Sequence, residues 1–265
     1  MMNKQIINFV AGKIRLQKFF EVLYSLSIYG MNYGNGGDFR RSGEYFAAQH
    51  IKSRLSNLHN QLILFDVGAN TGHYSVELSN IFSGKNFNIH SFEPSKKTFE
   101  QLVRTTSQIP DIHLNNFGFS DNEDNHLLYS NGDGSALASI YHRNLDHFGI
   151  SMDISEEIKL TTIDSYCKMN NINQLHFLKL DIEGHELSAL KGASNLLEQK
   201  KINFIQFEFG GCNIDSRTYF QDFWYLLNEN YTIYRIVKNG LQRIKTYNQE
   251  LEIFNNINYL AELKE

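Results

Sequence analysis

Two cysteines in 265 residues, Cys167 and Cys212, exclude a disulfide framework or a zinc cluster and point to reduced thiols in a cytoplasmic protein. Two prolines, Pro94 and Pro110, exclude a linker-rich or collagen-like chain. Neither sign of charge dominates: 25 Lys and Arg against 29 Asp and Glu leave a formal −4, with the cations spread along the chain. No broad basic surface for nucleic acid is announced. The most apolar early stretch, Phe19 to Met31, contains Glu21 and follows Lys18. It falls short of the ~20 residues of a membrane span, so neither a transmembrane helix nor a signal peptide is expected. What is present is core material: 42% of the residues are apolar and 13% aromatic, enough for one large domain with or without an extension.

Residues 4–28 place Ile6, Ile7, Val10, Ile14, Phe19, Val22, Leu23 and Leu26 at helical spacing, which predicts an amphipathic helix packed on the main domain or on a second copy of the chain. Gly30, Gly34, Gly36 and Gly37 mark a loop from Tyr29 to Asp38, either a lid carrying Tyr33, Asn35 and Arg40 or a plain surface loop. Ser42 caps a helix running to Leu58. Residues 1–60 are thus expected to form a helical extension or lid, and residues 61–265 the main domain. From Leu62 the pattern alternates: strand 62–67, helix 71–82, strand 88–92, helix 95–108, strand 112–119, strand 176–181, helix 186–198, strand 202–209, helix 217–228 and strand 231–237. That is an α/β sheet, mostly parallel, with helices on both faces. The less regular residues 122–174 are expected to add a hairpin and a helix over the site.

The first chemical signal is Asp66-Val-Gly-Ala-Asn-Thr-Gly72, which follows a strand and opens a helix. Gly68 permits the tight turn and Gly72 a close helix start, while Asn70 stands where a dinucleotide loop needs glycine, which argues against a pyrophosphate. Glu93 ends the next strand, where a carboxylate can take hydrogen bonds from a ribose diol. Ser120-Asp121, Asp181-Ile-Glu183-Gly184 and Glu208 end three further strands. Such a line of carboxylates suits a cationic ligand, and a methyl sulfonium is one.

These residues resemble the FkbM-type S-adenosylmethionine-dependent methyltransferases, through FDVGANTGHYS (65–75), FEPS (92–95), FSD (119–121), LTTIDSYC (160–167), LKLDIEGHELSALKGA (178–193) and QFEFGG (206–211). The resemblance implies a class I methyltransferase fold with a seven-stranded, Rossmann-like sheet. It also implies S-adenosyl-L-methionine as cofactor, lying across Asp66, Gly68, Asn70, Gly72, Glu93, Ser120, Asp121 and Asp181. It further implies methylation of a hydroxyl on a sugar, glycan or small natural-product acceptor.

Methyl transfer needs a group to take the acceptor's proton. The candidates are Asp181, Glu183, His185 and Glu208, with Asp181 foremost. Glu186 reads as helix-start electrostatics, and His185 as either base or cap. The crowding of carboxylates with a histidine also allows a metal, but no second ligand set has the spacing, so none is expected. The rival readings are a nicotinamide-dependent oxidoreductase on a similar sheet and a scaffold that binds cofactor without catalysis.

Overall fold

The computed structural model describes residues 9–35 and 37–265. The first elements are α1 (Gln17–Gly30), preceded by a short 3-10 turn at Ile14–Leu16, and α2 (Glu44–Arg54). Among the described residues the expected helix over residues 4–28 is interrupted: Phe9 and Val10 are helical, residues 11–13 are not, and α1 begins at Gln17; residues 4–8, with Gly36 of the glycine loop, lie outside the described residues. There follow β1 (Leu62–Val67), α3 (His73–Phe82), β2 (Phe87–Phe92), α4 (Lys96–Thr106), β3 (Ile112–Asn115), β4 (Gly118–Phe119), β5 (Asp124–Ser130), β6 (Ile154–Thr161) and α5 (Ile163–Met169). The second half holds β7 (Leu175–Leu180), α6 (Glu186–Lys191), α7 (Ser194–Glu198), β8 (Ile202–Phe209), α8 (Cys212–Ser216), α9 (Phe220–Leu227), β9 (Tyr231–Val237), β10 (Gly240–Arg243) and β11 (Ile257–Leu263).

The main sheet runs β3-β2-β1-β7-β8-β11-β9-β10. Its pairings from β3 to β8 are parallel, whereas β11 runs antiparallel to both β8 and β9, and β10 closes a hairpin on β9. The expected α/β fold is present, with one strand more than seven because the chain doubles back at Lys238 and Asn239 instead of ending the sheet at β9. The expected strand 112–119 breaks in two. Its second half, β4, leaves the main sheet to join β6 and β5 in a separate three-stranded sheet. The expected helix 186–198 is likewise broken, between Lys191 and Ser194, where Gly192 sits so close to the chain that a Cβ there would lie 2.0 Å from the Ser120 carbonyl oxygen.

Alternation along the strands sends apolar side chains to both faces. On one face Phe65 and Val67 pack with Leu178, Leu180 and Phe207. On the other, Leu62, Leu64, Phe177 and Phe204 pack with Ala47, Ala48 and Ile51 of α2 and Leu78 of α3. The residues of α2 therefore form part of the main core. At the carboxyl ends of the central strands this second face turns polar. Ser91, Asp66, Lys179 and Gln206 are register partners across β2, β1, β7 and β8, and all are buried. A buried polar row of this kind is tolerable only when its members pair with one another. Ser75 from α3 donates to Asp66 Oδ2 (2.6 Å) and lies 2.7 Å from the Ser91 hydroxyl. Glu44 from α2 accepts from Gln206 Nε2 (2.8 Å).

Candidate active site

A cavity of about 540 Å³ opens at the carboxyl ends of β1, β2, β7 and β8, where open α/β sheets bind ligands. Gly68, Asn70, Glu93, Asp181, Glu183, His185 and Glu208 line it, so most of the residues singled out from the sequence converge on one space. Its remaining walls are an apolar side from the small sheet, with Phe119, Leu128, Ile158 and Leu160, and a rim from Gly34, Gly37, Asn255 and Asn256.

The loop after β1 is held by its glycines. Gly68 adopts φ +79°, and a Cβ there would lie 1.9 Å from the Asp181 carbonyl oxygen, so no side chain fits. The Gly68 and Ala69 N–H groups both donate to the Phe92 carbonyl, at 3.0 and 2.9 Å. Asn70 follows in the left-handed region at φ +47°, which asparagine tolerates better than most residues. Its N–H donates to Glu93 Oε2 (3.0 Å), while Glu93 Oε1 accepts from the Ser95 N–H (2.9 Å). The Glu93 carboxyl is thus locked in place at the cavity wall, and burial pushes it up to about 7. The Asn70 Oδ1 is buried without a hydrogen-bond partner.

Asp181 directly follows β7, its N–H bonded to the Val67 carbonyl and its Oδ2 accepting from Lys179 Nζ at 3.2 Å. The same ammonium lies 3.4 Å from Asp66 Oδ1, an oxygen with no other polar partner. Burial alone would lower the Lys179 pKa, but Asp181, Asp66 and Glu44 outweigh it and hold the group above its ordinary value. Glu183 sits at φ +51° in the turn before α6 and accepts from Arg143 Nη1 at 2.6 Å. Burial and the charge of Asp181 push its carboxyl up to about 8 against the pull of Arg143. Glu186 turns back to accept from the Ile182 and Gly184 N–H groups, the helix-start role expected of it.

His185 has both ring nitrogens engaged: Nδ1 lies 2.9 Å from the Tyr141 hydroxyl and Nε2 3.0 Å from Ser120 Oγ. Ser120 in turn donates to Asp121 Oδ1 (3.1 Å). Burial lowers the imidazole to about 4, so it is neutral; with the Ser120 proton given to Asp121, Nε2–H donates to Ser120 and Nδ1 accepts from the Tyr141 hydroxyl. Glu208 is 6% exposed, its Oε2 has no partner, and burial raises it well above the ordinary carboxyl value. Its carboxyl group lines the cavity.

Four expected cofactor contacts lie elsewhere. Asp66 is fully buried behind the loop and supports it from below through Ser75 and Lys179. Gly72 packs on α4, where a Cβ would meet Leu102 at 2.7 Å. Ser120 spends its hydroxyl on His185 and Asp121, and Asp121 points to solvent; the cavity wall next to them is made by Gly118 and Phe119. The main-chain break that sends β4 into the small sheet causes this offset. Tyr33, read as part of a lid or loop, is a buried anchor, its hydroxyl 3.4 Å from the Tyr259 hydroxyl.

Residues 66–233 match the Methyltransferase FkbM domain. The chain belongs to the FkbM methyltransferase family. Among curated proteins this FkbM-family chain is 30% identical over 156 residues to the hexuronic acid methyltransferase AglP of Haloferax volcanii, a match spanning 58% of this chain and 59% of that protein. Among solved structures it overlaps the methyltransferase FkbM from Methylobacillus flagellatus KT with a TM-score of 0.44 and 20% identity, over 80% of this chain and 47% of the other.

Three side chains that hold the cavity's polar residues in place are not among those singled out from the sequence. Lys179 was legible as a charged residue inside an otherwise apolar strand. Arg143, which also approaches Asp215 at 3.4 Å, and Tyr141 belong to an irregular stretch whose path only the tertiary structure decides. One group of potential ligand atoms, from Glu183, Glu208 and Cys212, lies within 4.8 Å of one another. Arg143 already supplies a cation to that group through Glu183.

Proposed function

We propose that this FkbM-family chain transfers a methyl group from S-adenosyl-L-methionine to a hydroxyl of a sugar, glycan-linked or related small acceptor. One observation carries the reading: the described cavity wall holds four carboxyl groups, Glu93, Asp181, Glu183 and Glu208, and no Lys or Arg side chain. Such a wall offers no cation to the pyrophosphate of a nicotinamide dinucleotide, and a sulfonium entering it would favour the ionised form of the raised carboxyl groups. The residues fit the cofactor in kind. Glu93, fixed by two backbone donors, would accept from a ribose diol. The apolar side at Phe119 and Leu160 would cover the adenine, and the acidic end at Asp181 would face the sulfonium. When bound, S-adenosyl-L-methionine supplies an electrophilic methyl group on a positively charged sulfur.

The remaining work belongs to the chain. Asp181, half-open to the cavity, takes the proton of the acceptor hydroxyl. Glu208, whose Oε2 is free of other partners, orients the acceptor by a hydrogen bond, while Arg143 holds Glu183. His185 is a poor base because both nitrogens are bonded and its pKa is low. A sugar acceptor draws support from the hexuronic acid methyltransferase relative.

The test is transfer of an isotope-labelled methyl group to a panel of sugars, hexuronic acids and nucleotide sugars, alongside calorimetry with S-adenosylhomocysteine and NAD. Asp181→Asn is expected to depress turnover by about 10²- to 10⁴-fold with little change in S-adenosylhomocysteine affinity. Normal turnover in this variant, with loss in the Glu183, His185 or Glu208 variant instead, moves the base to that residue. Tighter binding of NAD than of S-adenosylhomocysteine overturns the cofactor reading.

A further inference from the structure

Helix α1 is held to its own domain by one buried side chain, Ile28, and all its other residues are exposed. At about 100° per residue its apolar side chains, Phe19, Phe20, Val22, Leu23, Tyr24, Leu26 and Tyr29, cover an arc of about 220°. Gln17, Lys18, Glu21 and Ser25 fill the narrow polar arc opposite. Ile28 is the helix's buried side chain, and it projects within that polar arc. The apolar arc stands uncovered in solvent, with Val22 at 63% and Leu26 at 64% exposure. Phe9 and Ile14, just before the helix, are more exposed still. A contiguous apolar surface of this kind marks a binding face.

The charges select the occupant. Lys13, Arg15 and Lys18 flank the apolar arc at its start and are all exposed, and Glu21 is the one acid between Phe9 and Gly30. The segment thus carries a surplus of two positive charges in a chain whose formal net charge is −4. A coiled-coil partner would need a narrow apolar seam edged by charges of both signs, which this wide arc does not offer. A wide apolar arc rich in Phe, Tyr and Leu, bordered by cations, is what a helix lying in a lipid interface requires. At 14 residues α1 is about 21 Å long, too short for a bilayer core of about 30 Å, and no described helix is long and apolar enough to cross one.

We propose that α1 docks the protein on an anionic membrane surface, lying in the interface with its apolar arc in the acyl boundary and Lys13, Arg15 and Lys18 against the headgroups. The helix leads directly into the cavity: Tyr33 is buried three residues after its end, the Gly34 N–H donates to the Asn256 carbonyl, and Gly34 and Asn256 both line the rim. A docked α1 therefore sets the site's mouth near the surface.

The experiment is co-sedimentation of the full chain with vesicles of phosphatidylglycerol and phosphatidylcholine, against pure phosphatidylcholine, at low and at high salt. Binding to the anionic vesicles that weakens with salt is expected. Replacing Lys13, Arg15 and Lys18 together by Gln is expected to lower affinity about a hundredfold, about fivefold per charge. Val22→Asp with Leu26→Asp, both at exposed positions, is expected to abolish binding while circular dichroism and S-adenosylhomocysteine affinity stay unchanged. No binding to anionic vesicles, equal binding to neutral ones, or binding indifferent to both sets of substitutions overturns the proposal. So does a concentration-dependent dimer in sedimentation velocity that the two aspartates dissociate, since the face would then belong to a second copy of the chain.

Discussion

Replacing Lys179 by Met tests the buried charge row under the site. The ammonium lies 3.4 Å from Asp66 Oδ1 and 3.2 Å from Asp181 Oδ2, and its side chain is 4% exposed. Asp66 is not exposed at all, so the substitution strands a carboxylate whose remaining support is the Ser75 hydroxyl. Asp181, 36% exposed, can recover hydration and contributes less to the penalty. Breaking a buried pair from one side costs about 3–5 kcal/mol, a large part of a typical domain's stability. At about 2–4 °C per kcal/mol for a chain of this size, the midpoint of thermal unfolding is expected to fall by about 10 °C. Adding Asp66→Asn removes the stranded charge and keeps an oxygen for Ser75, so the double variant is expected to recover most of the loss. Urea unfolding of the three proteins closes the cycle. A cost below about 1 kcal/mol for Lys179→Met, or a double variant no more stable than the single, refutes the claim that this ammonium neutralises Asp66.

Glu93→Ala is expected to weaken S-adenosylhomocysteine binding by about 2–3 kcal/mol with the fold intact, because it removes charge-assisted bonds to the diol; unchanged calorimetric affinity removes Glu93 from that role. Glu44, Glu93 and Glu186 are each raised by burial from 4.5 to about 7, so the folded chain holds protons that the unfolded chain releases. Their stabilisation is complete below the unfolded value and is lost as pH rises through about 7. His90 and His185, lowered by burial to about 4, act in the opposite sense below about pH 6.5, so urea midpoints of the unliganded protein are expected to fall between about pH 6.5 and about pH 8, and a flat or rising profile there contradicts the assignment. Methyl transfer is expected to persist in EDTA, because Arg143 already supplies the cation at Glu183; activity lost to chelation and restored by a divalent ion would make Glu183, Glu208 and Cys212 metal ligands.

The sequence by itself determined the alternation of strands and helices and the glycine loop. The short apolar runs, 62–67, 175–180 and 202–209 among them, bury both faces and have no other stable arrangement than neighbouring strands of one sheet. Gly68 is equally local in origin, since its positive φ and the carbonyl 1.9 Å from a Cβ leave one residue type possible. Glu93 and Asp181 were legible as strand-end carboxylates because topology brings such ends to a common edge. Tertiary structure alone decided which of the remaining polar residues face the cavity. Ser120 and Asp121 are diverted to His185 and to solvent because β4 pairs with β6, a contact across about 40 residues that no local pattern encodes. Lys179 finds its place through register: Asp66 and Gln206 lie opposite it on strands far apart in the chain, so its burial is affordable only once all three strands are aligned. The outward turn of α1 is of the same kind. Periodicity shows that a helix has an apolar arc, and only the tertiary structure, which holds α1 by Ile28 and buries Tyr33 just after it, leaves that arc uncovered.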